Sequence, residues 1–217
     1  EDLDFEIFNI SGNSAKADFS PTFYKDKLLF SSDRPDGSKK VYGPSGEAYI
    51  NIYESKIDLQ GNVSDPQPFK GIPDTKFHRA TPFYSQDLNN IFYVLSNSDG
   101  ENLQFSANGK NALSIGMATS QGSFSFILRD PDTSFYYPFY EAATGRLFFA
   151  ADFGDGYGGT DIYYVYTNDG LIMSSPTNLG PRVNTPGNEI APFIFENSLY
   201  FSSDIYYGLG GMDIYKS

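Results

Sequence analysis

The sequence predicts an all-β protein, a β-propeller of four-stranded antiparallel blades, on three observations. A proline that opens an aromatic strand returns four times, at Pro21, Pro82, Pro138 and Pro192, with separations of 61, 56 and 54 residues. Each return is followed by a second apolar strand and then a third. Composition agrees, with 20 Phe, 17 Tyr, 21 Gly and 13 Pro and no Trp, a mixture suited to aromatic strands joined by many turns.

The elements follow in chain order. "SPTFYKDKLLFSSD", "TPFYSQDLNNIFYVLS", "YPFYEAATGRLFFAAD" and "APFIFENSLYFSSD" each read as strand, hairpin, strand. Third strands follow at "INIYESKID", "LSIGMAT", "TDIYYVYT" and "MDIYKS", and weaker fourth strands at "PQPFKGI", "SFSFIL" and "PTNLG". Alternation puts Leu147, Phe149 and Ala151 on one face and Phe148 and Ala150 on the other. Both faces are apolar, so the sheets are expected to be sandwiched between neighbours, as propeller blades are. The chain reads as a single domain over 1–217 with repeats opening near 17, 78, 134 and 188. The fourth repeat stops after its third strand, and a lone strand over 4–10 is expected to complete that last blade. Four repeats lie at the low end for propellers, so further blades in the intact protein stay open.

The strand pair "LLFSSDRPDG" and the "DIY" strands resemble the TolB-type, WD40-like propeller repeat. The run 178–217, "NLGPRVNTPGNEIAPFIFENSLYFSSDIYYGLGGMDIYKS", is similar to the propeller of Bacteroidetes OmpA-family envelope proteins, some linked to type IX secretion. That resemblance implies a periplasmic, outer-membrane-associated location and partners among envelope proteins of an outer-membrane or secretion complex. Peptidoglycan contact is implied only through a flanking domain absent from this sequence.

Charge and residue inventory exclude several functions. A net charge of −12 repels nucleic acid. No apolar run approaches the roughly 18 residues of a membrane helix, so direct insertion is not expected. The absence of cysteine excludes disulfides and thiolate metal sites. His78 is the only histidine and no serine elbow accompanies it, so a triad is excluded; the chain reads as non-catalytic and without cofactor.

Two sets of candidate residues remain. "DFGDGYGGTDIY" and its copy "GLGGMDIY" place Gly158, Gly159, Gly210 and Gly211 where a loop turns into the third strand, a position asking for positive φ or for close backbone approach. Asp161 and Asp213 are expected to accept hydrogen bonds from loop amides. Asp152, Asp155 and Asp161 offer oxygen ligands to calcium but lack EF-hand spacing. Three residues before each proline stand Asp18, Arg79, Phe135 and Glu189, expected to gather with Tyr137 around one mouth of the channel. Arg79 there is either paired with the acids or part of a recognition rim. The sequence thus predicts a protein-binding scaffold, with a glycan-binding or carbohydrate-active propeller as the alternative. An exposed pair of aromatics beside two carboxylates favours the alternative, and a flat acidic face without such a pocket favours the scaffold.

Overall fold

A computed structural model describes residues 9–35, 37 and 41–217. It forms a four-bladed β-propeller of small antiparallel sheets. Blade 1 holds β1 (Asp18–Tyr24), β2 (Lys27–Ser32), β5 (Asn51–Lys56) and β6 (Gln67–Pro68), with a small hairpin of β3 (Val41–Tyr42) and β4 (Glu47–Ala48) between β2 and β5. Blade 2 is β7 (Arg79–Ser85), β8 (Asn90–Ser96), β9 (Leu113–Thr119) and β10 (Phe124–Leu128). Blade 3 is β11 (Phe135–Glu141), β12 (Arg146–Ala151) and β13 (Asp161–Asn168), with β14 (Leu171–Ile172) and β15 (Thr177–Asn178) both on β13. Blade 4 has three described strands, β16 (Glu189–Phe195), β17 (Ser198–Ser203) and β18 (Asp213–Lys216). Of the strand expected over 4–10, residues 4–8 lie outside the described residues, and 9–10 carry no strand.

The repeated prolines have a structural reason. In β1 the ladder jumps from Phe19 opposite Ser31 to Thr22 opposite Leu29, so Ser20 and Pro21 together face Phe30. The same two-against-one bulge recurs at Thr81–Pro82, Tyr137–Pro138 and Ala191–Pro192, facing Tyr93, Phe149 and Phe201. Proline fits because a bulge asks for no ladder N–H. The residue before it is left-handed in every blade, with φ of 51° at Ser20, 46° at Thr81, 51° at Tyr137 and 54° at Ala191. Such a φ is uncommon for residues other than glycine and costs on the order of 1 kcal/mol each.

The core lies between blades. Phe92, Val94 and Ile115 of blade 2 meet Leu147, Phe149 and Val165 of blade 3. Leu29, Ile52 and Phe69 meet Ile91 and Tyr93 between blades 1 and 2, and Phe148 and Ile162 meet Val183 and Phe201 between blades 3 and 4. Each such side chain is worth roughly 1.5–3 kcal/mol on full burial, so blade-to-blade contact rather than any one sheet holds the molecule together. The inner strands neighbour one another in the order β1, β7, β11, β16. Among the described residues β16 and β1 do not pack side by side as the other pairs do, which leaves a seam between blades 4 and 1.

Candidate functional site

The loop 152–160 joins β12 to β13 at the end of the blade where β11 begins, since Phe135 opposes Ala151 and Ala151 opposes Asp161. Asp152 Oδ1 accepts from the Gly154 amide at 3.0 Å, an Asx turn closed by Gly154 at φ +74°. Asp161, fully buried, accepts from the Tyr157 amide at 2.7 Å and from Asn178 Nδ2 at 2.8 Å through the same oxygen. Asn178 Oδ1 in turn accepts from Asn184 Nδ2 at 2.7 Å, and Asn184 takes both the Ile162 amide and carbonyl. A buried polar chain therefore fixes the loop to β13, β15 and the lead-in to blade 4.

Gly158 and Gly159 serve close approach, not left-handed backbone: neither has positive φ. A Cβ on Gly158 would stand 2.5 Å from the Gly187 carbonyl oxygen and closer still to that of Thr185, and one on Gly159 would stand 2.5 Å from Asn188 Oδ1. Gly159 N donates to the Gly187 carbonyl at 2.9 Å and Thr160 N to Asn188 Oδ1 at 3.0 Å. In the second copy Gly210 and Gly211 have neither positive φ nor a crowded Cβ, so the sequence expectation does not extend to them. Asp213 there accepts from the Gly210 amide at 3.0 Å.

The outcome is an open cleft of about 600 Å³ built wholly from blade 3 and lined by Phe153, Asp155, Tyr157, Tyr163, Pro176 and Asn178. Tyr157 is 47% exposed, a large ring offered to solvent. Phe153 stands edge-on to Tyr163 at 4.8 Å and to Phe135 at 6.0 Å, so the floor is rigid. Burial, with the nearby carboxylates of Asp161, Asp155 and Asp152, pushes the Tyr163 hydroxyl pKa up against the lowering hydrogen bond to Asn178. That hydroxyl therefore stays protonated at neutral pH. Flat apolar rings beside carboxylate and amide oxygens suit a ligand with a C–H face and a rim of hydroxyls.

The residues at the four strand starts hold equivalent places, but their side chains are engaged within the fold. Arg79, 4% exposed, donates to the Pro73 carbonyl at 2.7 Å and to Asn51 Oδ1 at 2.7 Å, with Asp74 at 3.2 Å. Phe135 is buried against Phe149, and Tyr137 is a bulge residue. Glu189 is fully buried and accepts from Thr185 N, Thr185 Oγ1 and Ser203 Oγ. Asp18 is paired with Arg34 at 2.5 Å. Burial alone would raise the Asp18 pKa, yet hydrogen bonds from Arg34, the Ser14 amide and Ser32 outweigh it and hold the carboxyl at about 2, from 3.8.

A prediction follows from that sign. A carboxyl whose folded pKa is depressed stabilises the fold above its unfolded value and loses that contribution as pH falls through the folded one. The melting temperature is expected to fall between about pH 4 and about pH 2, and Asp18→Asn to flatten that limb. Superimposable acid limbs in thermal melts of the two proteins would remove the role assigned to the Arg34 pair.

Among the described residues no three carboxylate, histidine or cysteine side chains come together as a metal site, so Asp152, Asp155 and Asp161 are not assembled as the calcium set that the sequence offered. His78 Nδ1 accepts from the Ile50 amide at 3.0 Å, its ring packs against those of Tyr42 and Tyr49, and burial lowers its pKa.

Fold and cleft together define a β-propeller with an aromatic cleft on the loop face of blade 3, rimmed by the carboxylate of Asp155. No family model and no curated protein matches the chain. Among solved structures it is similar to an α-L-arabinofuranosidase from Clostridium thermocellum, at TM-score 0.51 and 14% identity over 96% of this chain and 70% of that one. It is also similar to an endo-arabinase from Bacteroides thetaiotaomicron, at TM-score 0.52 and 15% identity over 97% and 78%. These likenesses are of fold. Both of these proteins are glycoside hydrolases, enzymes built on a similar fold, so the expectation of a non-catalytic scaffold that is not an enzyme is withdrawn, while the likeness itself shows the fold alone.

Proposed function

We propose that the domain is a carbohydrate-active propeller that takes an oligosaccharide or polysaccharide chain on the loop face of blade 3. The observation that carries this reading is the cleft, where the half-exposed Tyr157 stands beside Phe153, Asp155 and Asn178. The ring of Tyr157 is the stacking platform for a sugar face. Asp155 receives the hydroxyl hydrogen bonds and Tyr163 donates from the floor, while Asn178, engaged with Asp161, Asn184 and Tyr163, holds the wall in place. The arabinan-directed neighbours support assaying pentose polymers first. The resemblance of the run 178–217 to envelope propellers supports a periplasmic setting, where a cell meets such glycans.

Tyr157→Ala is expected to weaken binding of arabino-oligosaccharides by at least roughly tenfold, the effect of one aromatic contact worth about 1.4 kcal/mol, at unchanged melting temperature. Calorimetric titration with a panel of oligosaccharides, read beside release of reducing sugar, tests the proposal. An intact chain that binds and cleaves none of the panel would sink it.

A further inference from the structure

The loop that forms the cleft has a copy in blade 4. Aligned on Asp161 and Asp213, the segment 152–161 corresponds to 204–213, so Tyr207 stands where blade 3 has Asp155 and Leu209 where it has Tyr157. The two loops are folded alike at their base. A Cβ on Gly156 would collide with the Asp161 carboxylate, and one on Gly208 would collide with that of Asp213. Each aspartate closes its own loop by accepting a backbone amide, from Tyr157 at 2.7 Å in blade 3 and from Gly210 at 3.0 Å in blade 4.

The blade 4 loop is held from beneath. The Tyr215 hydroxyl bridges the carbonyls of Tyr206 and Tyr207, at 3.0 and 3.2 Å, and the Tyr206 ring packs on Tyr215 at 5.0 Å and on Phe201 at 6.3 Å. With Tyr206 turned in, Tyr207 is turned out, 97% exposed, and Leu209 beyond it is fully exposed. Large apolar side chains carried into water by a fixed loop add nothing to the core and mark a contact surface.

That surface adjoins the cleft. Asn188 joins the two loops: its Oδ1 accepts from the Thr160 amide at 3.0 Å, its Nδ2 donates to Asp204 Oδ2 at 2.7 Å, and its backbone amide donates to Asp204 Oδ1 at 2.7 Å. The Gly187 carbonyl accepts from Gly159 at 2.9 Å, and a Cβ on Gly187 would stand 2.9 Å from the Cβ of Ile205. One backbone segment, 187–188, therefore touches the end of the cleft loop and the start of its copy. The net charge of −12, with Asp204 at the base of the loop, disfavours an anionic lipid surface as the occupant. A neutral ligand with an apolar ring face meets no such repulsion.

We propose that Tyr207 is a second stacking platform for the glycan taken by the blade 3 cleft, so that the ligand is a linear chain running from blade 3 onto blade 4 and not a single sugar. This rests on the reading of the cleft as a glycan site. Packed sheets lie about 10 Å apart, farther than one sugar ring spans, so the second platform is reached by oligomers alone.

The test is a calorimetric series of linear arabino-oligosaccharides, from the disaccharide upward, against the parent, Tyr207→Ala and Tyr207→Phe. Parent affinity is expected to rise with chain length. Tyr207→Ala is expected to weaken the longer oligomers roughly tenfold and to leave the disaccharide unchanged, whereas Tyr207→Phe keeps the ring and binds like the parent. All three are expected to melt alike, because the substituted side chain stands in solvent. Equal affinities of the parent and Tyr207→Ala at every length, beside a loss in Tyr157→Ala, would overturn the second platform and leave the cleft reading standing. A parent that binds no oligomer would overturn both. Self-association of the parent in sedimentation, lost in Tyr207→Ala, would assign the loop to a second copy of the chain instead.

Discussion

Gly158→Ala is expected to destabilise the fold by about 3 kcal/mol, as overpacking against atoms that cannot yield does. The obstacle is backbone: the added methyl meets the carbonyl oxygens of Thr185 and Gly187 in the lead-in to blade 4. Relief requires blade 4 to move away from blade 3, which loosens the Phe148, Ile162 and Phe201 contacts as well. For a domain of this size the loss corresponds to a drop of roughly 6–12 °C in melting temperature. The matched control is Gly211→Ala in the copied loop, where a Cβ meets nothing within 4 Å and φ is not positive. That variant is expected to melt like the parent. Equal melting of the two variants would show that the approach of the blade 3 loop to blade 4 is not what the glycine serves.

Glu189→Ala is expected to have a comparable or larger effect. Its fully buried carboxylate accepts from Thr185 N at 2.7 Å, Thr185 Oγ1 at 2.6 Å and Ser203 Oγ at 2.6 Å. Alanine leaves three donors without an acceptor and opens a cavity, at about 1–3 kcal/mol for each donor that water cannot reach. Urea unfolding is expected to show a lower midpoint at unchanged slope, a loss of about 4 kcal/mol. An unchanged midpoint would mean that water or a rearranged Thr185 replaces the carboxylate.

The propeller was legible because its signals are periodic. Four prolines and the aromatics facing each bulge recur at nearly constant spacing, and spacing is what a single chain displays. The fourth strands of blades 1 to 3 were legible for the same reason, although they are only two to five residues long. The cleft was not legible as a site. Its hydrogen-bond chain joins Asp161 to Asn178 and Asn184 across 17 and 23 residues with no repeat to betray the pairing. At Gly158 the sequence left positive φ and close backbone approach both open, and it is close approach, to a segment outside its own hairpin, that the fold requires. The scaffold reading weighed the acidic charge and missing histidines of the whole chain, whereas Tyr157, Phe153 and Asp155 converge only once the loop is folded.

The proline bulges have a consequence for how reliably such a chain folds. A hairpin shifted by one residue would bring proline into a ladder position that needs an N–H and would turn the facing aromatic to the wrong side, so slipped pairings are rejected within each hairpin. The same device gives all four inner strands one register, and nothing in it tells β2 that its partner is β1 and not β11. That choice is left to proximity: hairpin loops of two residues at 25–26 and 196–197 and of four at 86–89 and 142–145 close each correct pair before a distant strand can compete. Lengthening one of these loops would leave stability nearly untouched while letting blades exchange partners, and the error would appear as misfolded or swapped species during refolding, not as a lower melting point.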